Sequence, residues 1–346
     1  MDTQVLIVGA GPTGLALAGE LRRRDVDCLL IDSHDDPLHW DRATVVHPRT
    51  LEHLDRLGIA GELLAAGVKQ RFIYIYSDGE LLGEMDLAES GSPFGFNVTV
   101  SEEVTEAVLT RHLAAYGGKV EHGRRLTGLR QLPDRVVATI EHGGAATEVE
   151  AEWIVGCGGL HSPVREFSGI EFEGHDIAEP WAVFDARLEN WPHPHEANFA
   201  LFDRDPVILT PLPGRRWRAY VRPRAPDSDL VGDAARALAR FVPGVEVVDV
   251  ANPTRFHCHT KVANRYRDGR ALLAGDAAHV VSPSQGHGMN TGIQDSFNLG
   301  WKLAMVCKGE AGEALLDTYG EERRPVALGV AASGDAFEVA QSLAGK

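Results

Sequence analysis

A chain of 346 residues exceeds the usual size of a single hydrophobic core, so two domains are expected, and 44% hydrophobic beside 24% charged residues describes a globular protein. A formal net charge of −16 repels phosphate backbones and anionic lipid, which argues against nucleic-acid and membrane partners, and no apolar run reaches membrane-spanning length. Cys28, Cys157, Cys258 and Cys307 form no CxxC pair, the pattern of reduced buried thiols; with a first strand that begins by Gln4 and leaves no room for a leader, the expected setting is cytoplasmic.

The first predicted strand, Val5-Leu6-Ile7-Val8, runs into Gly9-Ala10-Gly11-Pro12-Thr13-Gly14 and then a helical pattern from Leu15 to Arg22. Amide groups left unpaired at such a helix start, together with its dipole, make an anion site of backbone. Gly9 is read as permitting the tight turn, Gly11 as letting a diphosphate approach, and Gly14 as letting helix and strand pack closely. Pro12 falls in the first helical turn, where a missing N–H costs nothing. A second strand, Cys28-Leu29-Leu30-Ile31, ends at Asp32, the spacing at which an acid accepts hydrogen bonds from a ribose. A lone GxGxxG also marks ordinary turns; strand, motif, helix, strand and terminal acid in that order point to a dinucleotide.

Thr50 to Gly58 has helical spacing and a terminal glycine, and Phe72–Tyr76 and Phe94–Val100 turn β-branched and aromatic. Ser101 to Tyr116 reads as a helix closed by Gly117-Gly118, with strands following as far as Trp153-Ile154-Val155. Between residues 178 and 222, short strands broken by Pro and Gly predict an antiparallel sheet that interrupts a nucleotide domain resuming near Arg270. The pairs His257/His259 and His193/His195 each lack a third ligand at a recognisable spacing, so no metal is expected. Ser162 lacks a nucleophile elbow, and the run Arg22–Arg24 reads as a solvated helix end.

A second glycine turn follows the apolar strand Ala271-Leu272-Leu273-Ala274, in Gly275-Asp276-Ala277-Ala278-His279, and places the Asp276 carboxylate where it accepts hydrogen bonds from a polyol. From Ser282 to Leu303 the chain passes Gly286, Gly288 and Gly292, and a helix starting near Met289 aims its amides at whatever flat ligand lies there. A flavin suits this, since its pyrimidine edge becomes negative on reduction.

These segments strongly resemble the FAD-dependent aromatic hydroxylases, the class A flavoprotein monooxygenases related to p-hydroxybenzoate hydroxylase and to phenol and polyketide hydroxylases. The likeness rests on the Gly9–Gly14 loop, Arg42-Ala43, Arg49-Thr50-Leu51-Glu52, Thr105-Glu106, Gly156 to Arg165, and the Gly275–His279 turn with its continuation to Leu303. It implies one extended FAD between the two glycine motifs, NADPH or NADH as reductant, and a flavin C4a-hydroperoxide that hydroxylates a phenolic or polycyclic aromatic substrate with O2. By position, Asp32 would hold the adenosine ribose, Arg42 the diphosphate region, Asp276 the ribityl chain, and Gly288, Met289 and Asn290 the isoalloxazine edge, with Thr13, Ser33 and Gly286 as further cofactor-binding positions. Pro283 would face the reacting side of the flavin through its backbone.

The implied fold is α/β: a Rossmann-like FAD-binding domain at 1–70, 100–175 and 265–346, with an inserted antiparallel-sheet substrate domain at 71–99 and 176–264. Substrate-wall candidates are Phe72, Tyr74, Trp181, Phe184, Phe202, Trp217, Tyr220 and Arg222; alternation lets only one of the sets Trp217/Ala219/Val221 and Arg218/Tyr220/Arg222 face the pocket. Three positions depart from the family. Gly158 stands where an aspartate supports FAD and the nicotinamide, Glu102 replaces a glutamine and puts a carboxylate near the FAD, and no thioredoxin-like segment follows before Lys346. A flavin oxidase, dehydrogenase or Baeyer-Villiger oxygenase shares the fold, and Gly158 leaves open a non-catalytic flavin protein. A monomer or homodimer is expected.

Overall fold

Strands that are apolar on both faces belong in the middle of a covered parallel sheet, and Thr3–Val8, with Val5, Leu6 and Ile7 fully buried, holds that place. The computed structural model describes residues 1–37, 43–77, 79–178, 180–202, 205–223, 225, 227–283 and 286–344, with side chains to 336, so Arg42 lies outside the described residues. Thr3–Val8 pairs in parallel with Cys28–Ile31 and with Ala145–Gly156, and the parallel set continues to Val120–Glu121 and Ala271–Leu273. Arg125–Gln131 and Val136–His142 join it as antiparallel strands, as does Arg267–Asp268 at the far edge. Register aligns Val8 with Ile31 and Gly156, and Gly156 with Leu273. The chain therefore leaves the sheet along one carboxyl edge, at Gly9, Asp32, Cys157 and Ala274, where open α/β sheets take their ligands.

The helices are α1 (Pro12–Arg22), α2 (Pro48–Arg56), α3 (Ala60–Ala66), α4 (Glu102–Ala115), α5 (Pro163–Phe167), α6 (Leu230–Phe241), α7 (His287–Cys307) and α8 (Asp317–Ala344). Every residue of α1 from Gly14 to Leu21 is buried, because α4 and α7 both pack on it. Its one buried acid, Glu20, is held by Arg23 and Arg24, which accounts for the arginine run. α2 begins earlier than its apolar spacing indicates because Pro48 fits a first turn, and Gly58 at φ 76° ends the segment. α7 likewise starts at His287, two residues before Met289, from a left-handed Gly286 at φ 66°. No described helix is long and apolar enough to cross a membrane.

The second large sheet runs Glu246–Phe256, Trp181–Glu189, Arg216–Val221, Val207–Leu212, Ala197–Leu201, Phe72–Ser77, Glu80–Asp86. It is antiparallel except where Ala197–Leu201 lies parallel to Phe72–Ser77. A parallel pair needs a long crossover, and here it is the whole stretch between the two strands, which no local pattern reveals. One face packs Phe184, Phe199, Leu209, Trp217 and Ala219 against Leu230, Ala234, Ala237 and Leu238, the buried stripe of α6. The other carries Trp181, Val183, Ala200, Ile208 and Tyr220. On that second face Asp185 and Arg218 stand opposite each other across neighbouring strands and form a two-point ion pair at 2.8 and 2.9 Å, with the Arg218 side chain 1% exposed.

Asp185→Ala would remove the two-point carboxylate contact of a buried guanidinium. We expect a loss of about 3–5 kcal/mol in urea unfolding, mostly regained when Arg218→Met is added with Asp185→Leu. Equal midpoints for Asp185→Ala and the unaltered protein would contradict this account of the sheet.

Candidate active site

Three glycines open the first loop for different reasons. Gly9 sits at φ 109°, and a Cβ there would come within 2.5 Å of the Cys157 carbonyl carbon. A Cβ on Gly14 would overlap the Gly9 carbonyl oxygen. Gly11 has an ordinary φ of −68°, and a Cβ on it would meet nothing nearer than Glu106 Oε1 at 4.0 Å. Packing thus requires glycine at Gly9 and Gly14 but not at Gly11. The free space over Gly11, at a helix start with no side-chain cap, fits a diphosphate.

Asp32 ends its strand beside this space. Its Oδ2 accepts the Ala10 N–H at 2.8 Å, tying the acid to the loop, and its Oδ1 accepts from His34 N at 2.9 Å and lies 2.8 Å from His34 Nδ1. The side chain keeps 18% exposure, so lone pairs remain for a ribose, and Ser33 next to it is half-buried. On α4, Glu102 Oε2 accepts the Ala43 N–H at 3.0 Å. Glu106, one turn on, is pushed up to about 8 by burial, with Glu102, Asp32 and Glu103 adding repulsion.

The second motif meets the first through Thr13. Gly275 has φ 61°, and a Cβ on Gly275 or on Gly292 would collide with Thr13 Oγ1. Ser296 Oγ also donates to the Thr13 carbonyl at 2.7 Å. Between Ala271 and Val280 only Asp276 is exposed, so its carboxylate is presented at the ligand edge while the strand behind it is core. Beneath the turn, fully buried Asp295 accepts from Gly275 N at 3.1 Å, His279 Nε2 at 2.7 Å and Arg323 Nε at 2.7 Å. Burial alone would raise the Asp295 pKa; the His279 and Arg323 partners outweigh it and hold the group below its usual range.

At the start of α7, Asn290 Oδ1 accepts from His47 N at 2.8 Å, while its Nδ2 donates to Val45 O and Gly286 O, each at 2.8 Å. The Asn290 side chain therefore ties helix to loop, and what it can offer a ring edge is backbone. A Cβ on Gly288 would meet nothing within 4 Å, so the first turn of α7 is open, with Met289 half-buried beside it. Pro283 precedes it and accepts the Gly286 N–H at 3.0 Å through its carbonyl. Burial lowers the pKa of His287, which meets His47 edge-on at 4.9 Å between ring centroids. Gly158 is exposed; a Cβ on it would make ordinary contacts at 3.6 Å with Pro163 Cδ and the Val8 carbonyl oxygen, so it accepts a side chain.

The eight substrate-wall candidates divide between two faces. Trp181, Phe202 and Tyr220 belong to one apolar cluster, Arg222 lies 4.5 Å from the Trp181 ring centroid, and Tyr220 Oη is 3.1 Å from Oγ1 of Thr44, in the loop that Asn290 and Glu102 hold. Tyr74 and Trp217 lie on the opposite face among the residues packed under α6, where Tyr74 stacks on Phe199 at 5.5 Å and Trp217 meets His195 at 5.0 Å. Phe72 and Phe184 go with them. Strand alternation forces the split; the choice of face is made by α6. The paired histidines go to other partners: His259 Nδ1 lies 2.7 Å from Asp176, His195 Nε2 lies 3.0 Å from the Arg216 carbonyl, and His193 packs on Phe199. Thr44, Glu106 and Asp295 were not singled out from sequence as site residues; Glu106 and Asp295 stand at helical spacing like any surface acid, so only their neighbours reveal them.

The model of a family described as "FAD binding domain" matches residues 2–333. The chain is 38% identical to 6-methylpretetramide 4-monooxygenase of Streptomyces rimosus over 93% of its own length and 59% of that protein. It is 34% identical to pentachlorophenol 4-monooxygenase of Sphingobium chlorophenolicum, over 94% of the chain and 62% of that protein. The chain thus spans about three fifths of these two curated relatives. Among solved structures, a ternary complex of aklavinone-11 hydroxylase with FAD and aklavinone superposes with a TM-score of 0.85 at 27% identity, covering 98% of this chain and 69% of that one.

Gly11→Val is expected to melt like the unaltered apoprotein yet retain no FAD, whereas Gly14→Ala is expected to melt below that apoprotein, because only the second adds atoms where backbone already lies. Flavin absorbance after gel filtration, with thermal melts, separates the two, and Gly11→Val carrying normal FAD would place the diphosphate elsewhere. Asp276→Ala should weaken FAD binding by roughly 1–3 kcal/mol, as for loss of a charge-assisted hydrogen bond.

Proposed function

Because the chain belongs to the FAD-dependent aromatic hydroxylases, whose FAD binding domain it matches over residues 2–333, we propose that it is the FAD- and substrate-binding portion of a monooxygenase that hydroxylates a phenolic or polycyclic aromatic compound. The observation that carries this reading is the meeting of the two glycine motifs at Thr13, at the edge of the parallel sheet and across the Thr44 loop from the apolar face of Trp181 and Tyr220. FAD, when bound, accepts a hydride from NADPH or NADH and activates dioxygen. The overall reaction balances as aromatic C–H plus O2, NAD(P)H and a proton giving the phenol, NAD(P)+ and water.

The residues of the chain bind, orient and exclude water. Gly11 and the start of α1 receive the diphosphate, with Arg42 assigned there by position; Asp32 and Ser33 face the adenosine ribose and Asp276 the ribityl chain. The backbone of Gly286, Gly288, Met289 and Asn290 meets the isoalloxazine edge, where the α7 dipole favours the negative charge of the reduced ring. His287, kept neutral by burial, adds no full charge there. Pro283 borders the reacting side. Trp181, Phe202 and Tyr220 form a water-poor wall, and Arg222, lying over Trp181, suits an anionic or phenolate group on the substrate. A monomer or homodimer in the cytoplasm, where NAD(P)H is supplied, completes the reading.

NAD(P)H oxidation that rises with an aromatic ligand, and 18O from O2 in the product, are the expected results; consumption with hydrogen peroxide as sole product from every phenol tried would favour an oxidase. Gly158→Asp, for which the fold has room, is expected to speed anaerobic flavin reduction in stopped flow. Fast reduction in the unaltered protein, with no gain on substitution, would show that another residue receives the nicotinamide.

A further inference from the structure

One carboxylate, Glu106, borders the space over Gly11, and the charges of Asp32 and Glu102 act on it, on a chain expected to place a doubly negative diphosphate there. Asp32 and Glu102 each accept backbone N–H groups. Glu106 makes no hydrogen bond or ion pair with any described residue, and its Oε1 faces the Gly11 Cβ position across 4.0 Å. Burial and the charges of Glu102, Asp32 and Glu103 already disfavour its ionised form. A diphosphate adds like charge on the same side, and protonation turns Glu106 from a repelling acceptor into an O–H donor.

We propose that FAD binds together with one proton, taken from solvent by Glu106, whose neutral carboxyl then donates to the diphosphate across Gly11. This rests on the assignment of FAD to the two glycine motifs. The groups facing Glu106 are few. α4 itself presents Glu102 and Glu103, the strand end presents Asp32 with His34 at 2.8 Å, and α1 presents no acid in its first turn. From α3, Glu62 is bound to Arg111, further along α4. An arginine, Arg42 included, does not titrate below about pH 12 and contributes no slope of its own. Among the described residues His34 is the remaining titratable neighbour, and His34→Asn serves as its control.

The sign follows from the raised pKa. At low pH Glu106 is already neutral and FAD meets no extra charge; as pH climbs past about 8 the apoprotein loses the proton that the complex keeps, so affinity falls. The test is the FAD dissociation constant of the apoprotein, read by flavin fluorescence between about pH 6.5 and 9.0, with calorimetry in two buffers of different ionisation enthalpy. Expected are a loss approaching tenfold per pH unit at the alkaline end, net proton uptake in the alkaline range, a flat profile for Glu106→Gln with tighter binding than the unaltered protein at pH 9.0, and an unchanged slope for His34→Asn. A flat profile without proton uptake in the unaltered protein overturns the proposal, as does an undiminished slope in Glu106→Gln. Absence of FAD binding at every pH would instead remove the assignment on which it rests.

Discussion

The side chain of Thr13 filling the gap left by Gly275 and Gly292 is the contact on which the rest of the molecule depends. It joins segments from opposite ends of the chain, and it leaves no room for a Cβ on either partner. Asp295 reinforces the joint from below by accepting the Gly275 N–H while His279 and Arg323 neutralise it, so α7, α8 and the turn are clamped to one buried charge. Charges buried this way confer little stability as a set, but removing one member strands the others, which makes the arrangement a strong constraint on geometry. The two glycine loops are thereby held in fixed relation.

The electrostatics of that edge are unusual for an anion site. Among the described residues the space over Gly11 is bordered by Glu106 and backbone amides, on a protein of net charge −16. Among the described residues, oriented N–H groups and the α1 dipole supply the attraction, which acts at short range and is selective for a ligand that can enter the cradle.

Features governed by local rules were readable before the fold was known. Gly9 and Gly14 follow from turn and close-packing geometry, Ser101 caps α4 by accepting the Glu103 N–H, and Asp32 ends a strand at a set distance from the loop. Features decided by distant neighbours were not. Nothing near Asp295 or Glu106 in the chain announces burial beside partners that arrive from elsewhere. Alternation divided Trp217 from Tyr220, yet which of them faces Thr44 was decided by the docking of α6.

The parallel pairing of Phe72–Ser77 with Ala197–Leu201 has a consequence for how the molecule is made. Ser77 bonds to the carbonyl of Phe202, 125 residues away, and much of the parallel sheet with its glycine-loop partner strand lies in the interval. Closing so long a loop is entropically slow and is rewarded only when the ends meet on an ordered surface. On the ribosome the hairpin of Phe72–Asp86 must wait for its parallel neighbour until Ala197–Leu201 has emerged. The second large sheet is therefore not a severable module: cut from the parallel-sheet segments threaded between its strands, it would lose the means of finding its own register.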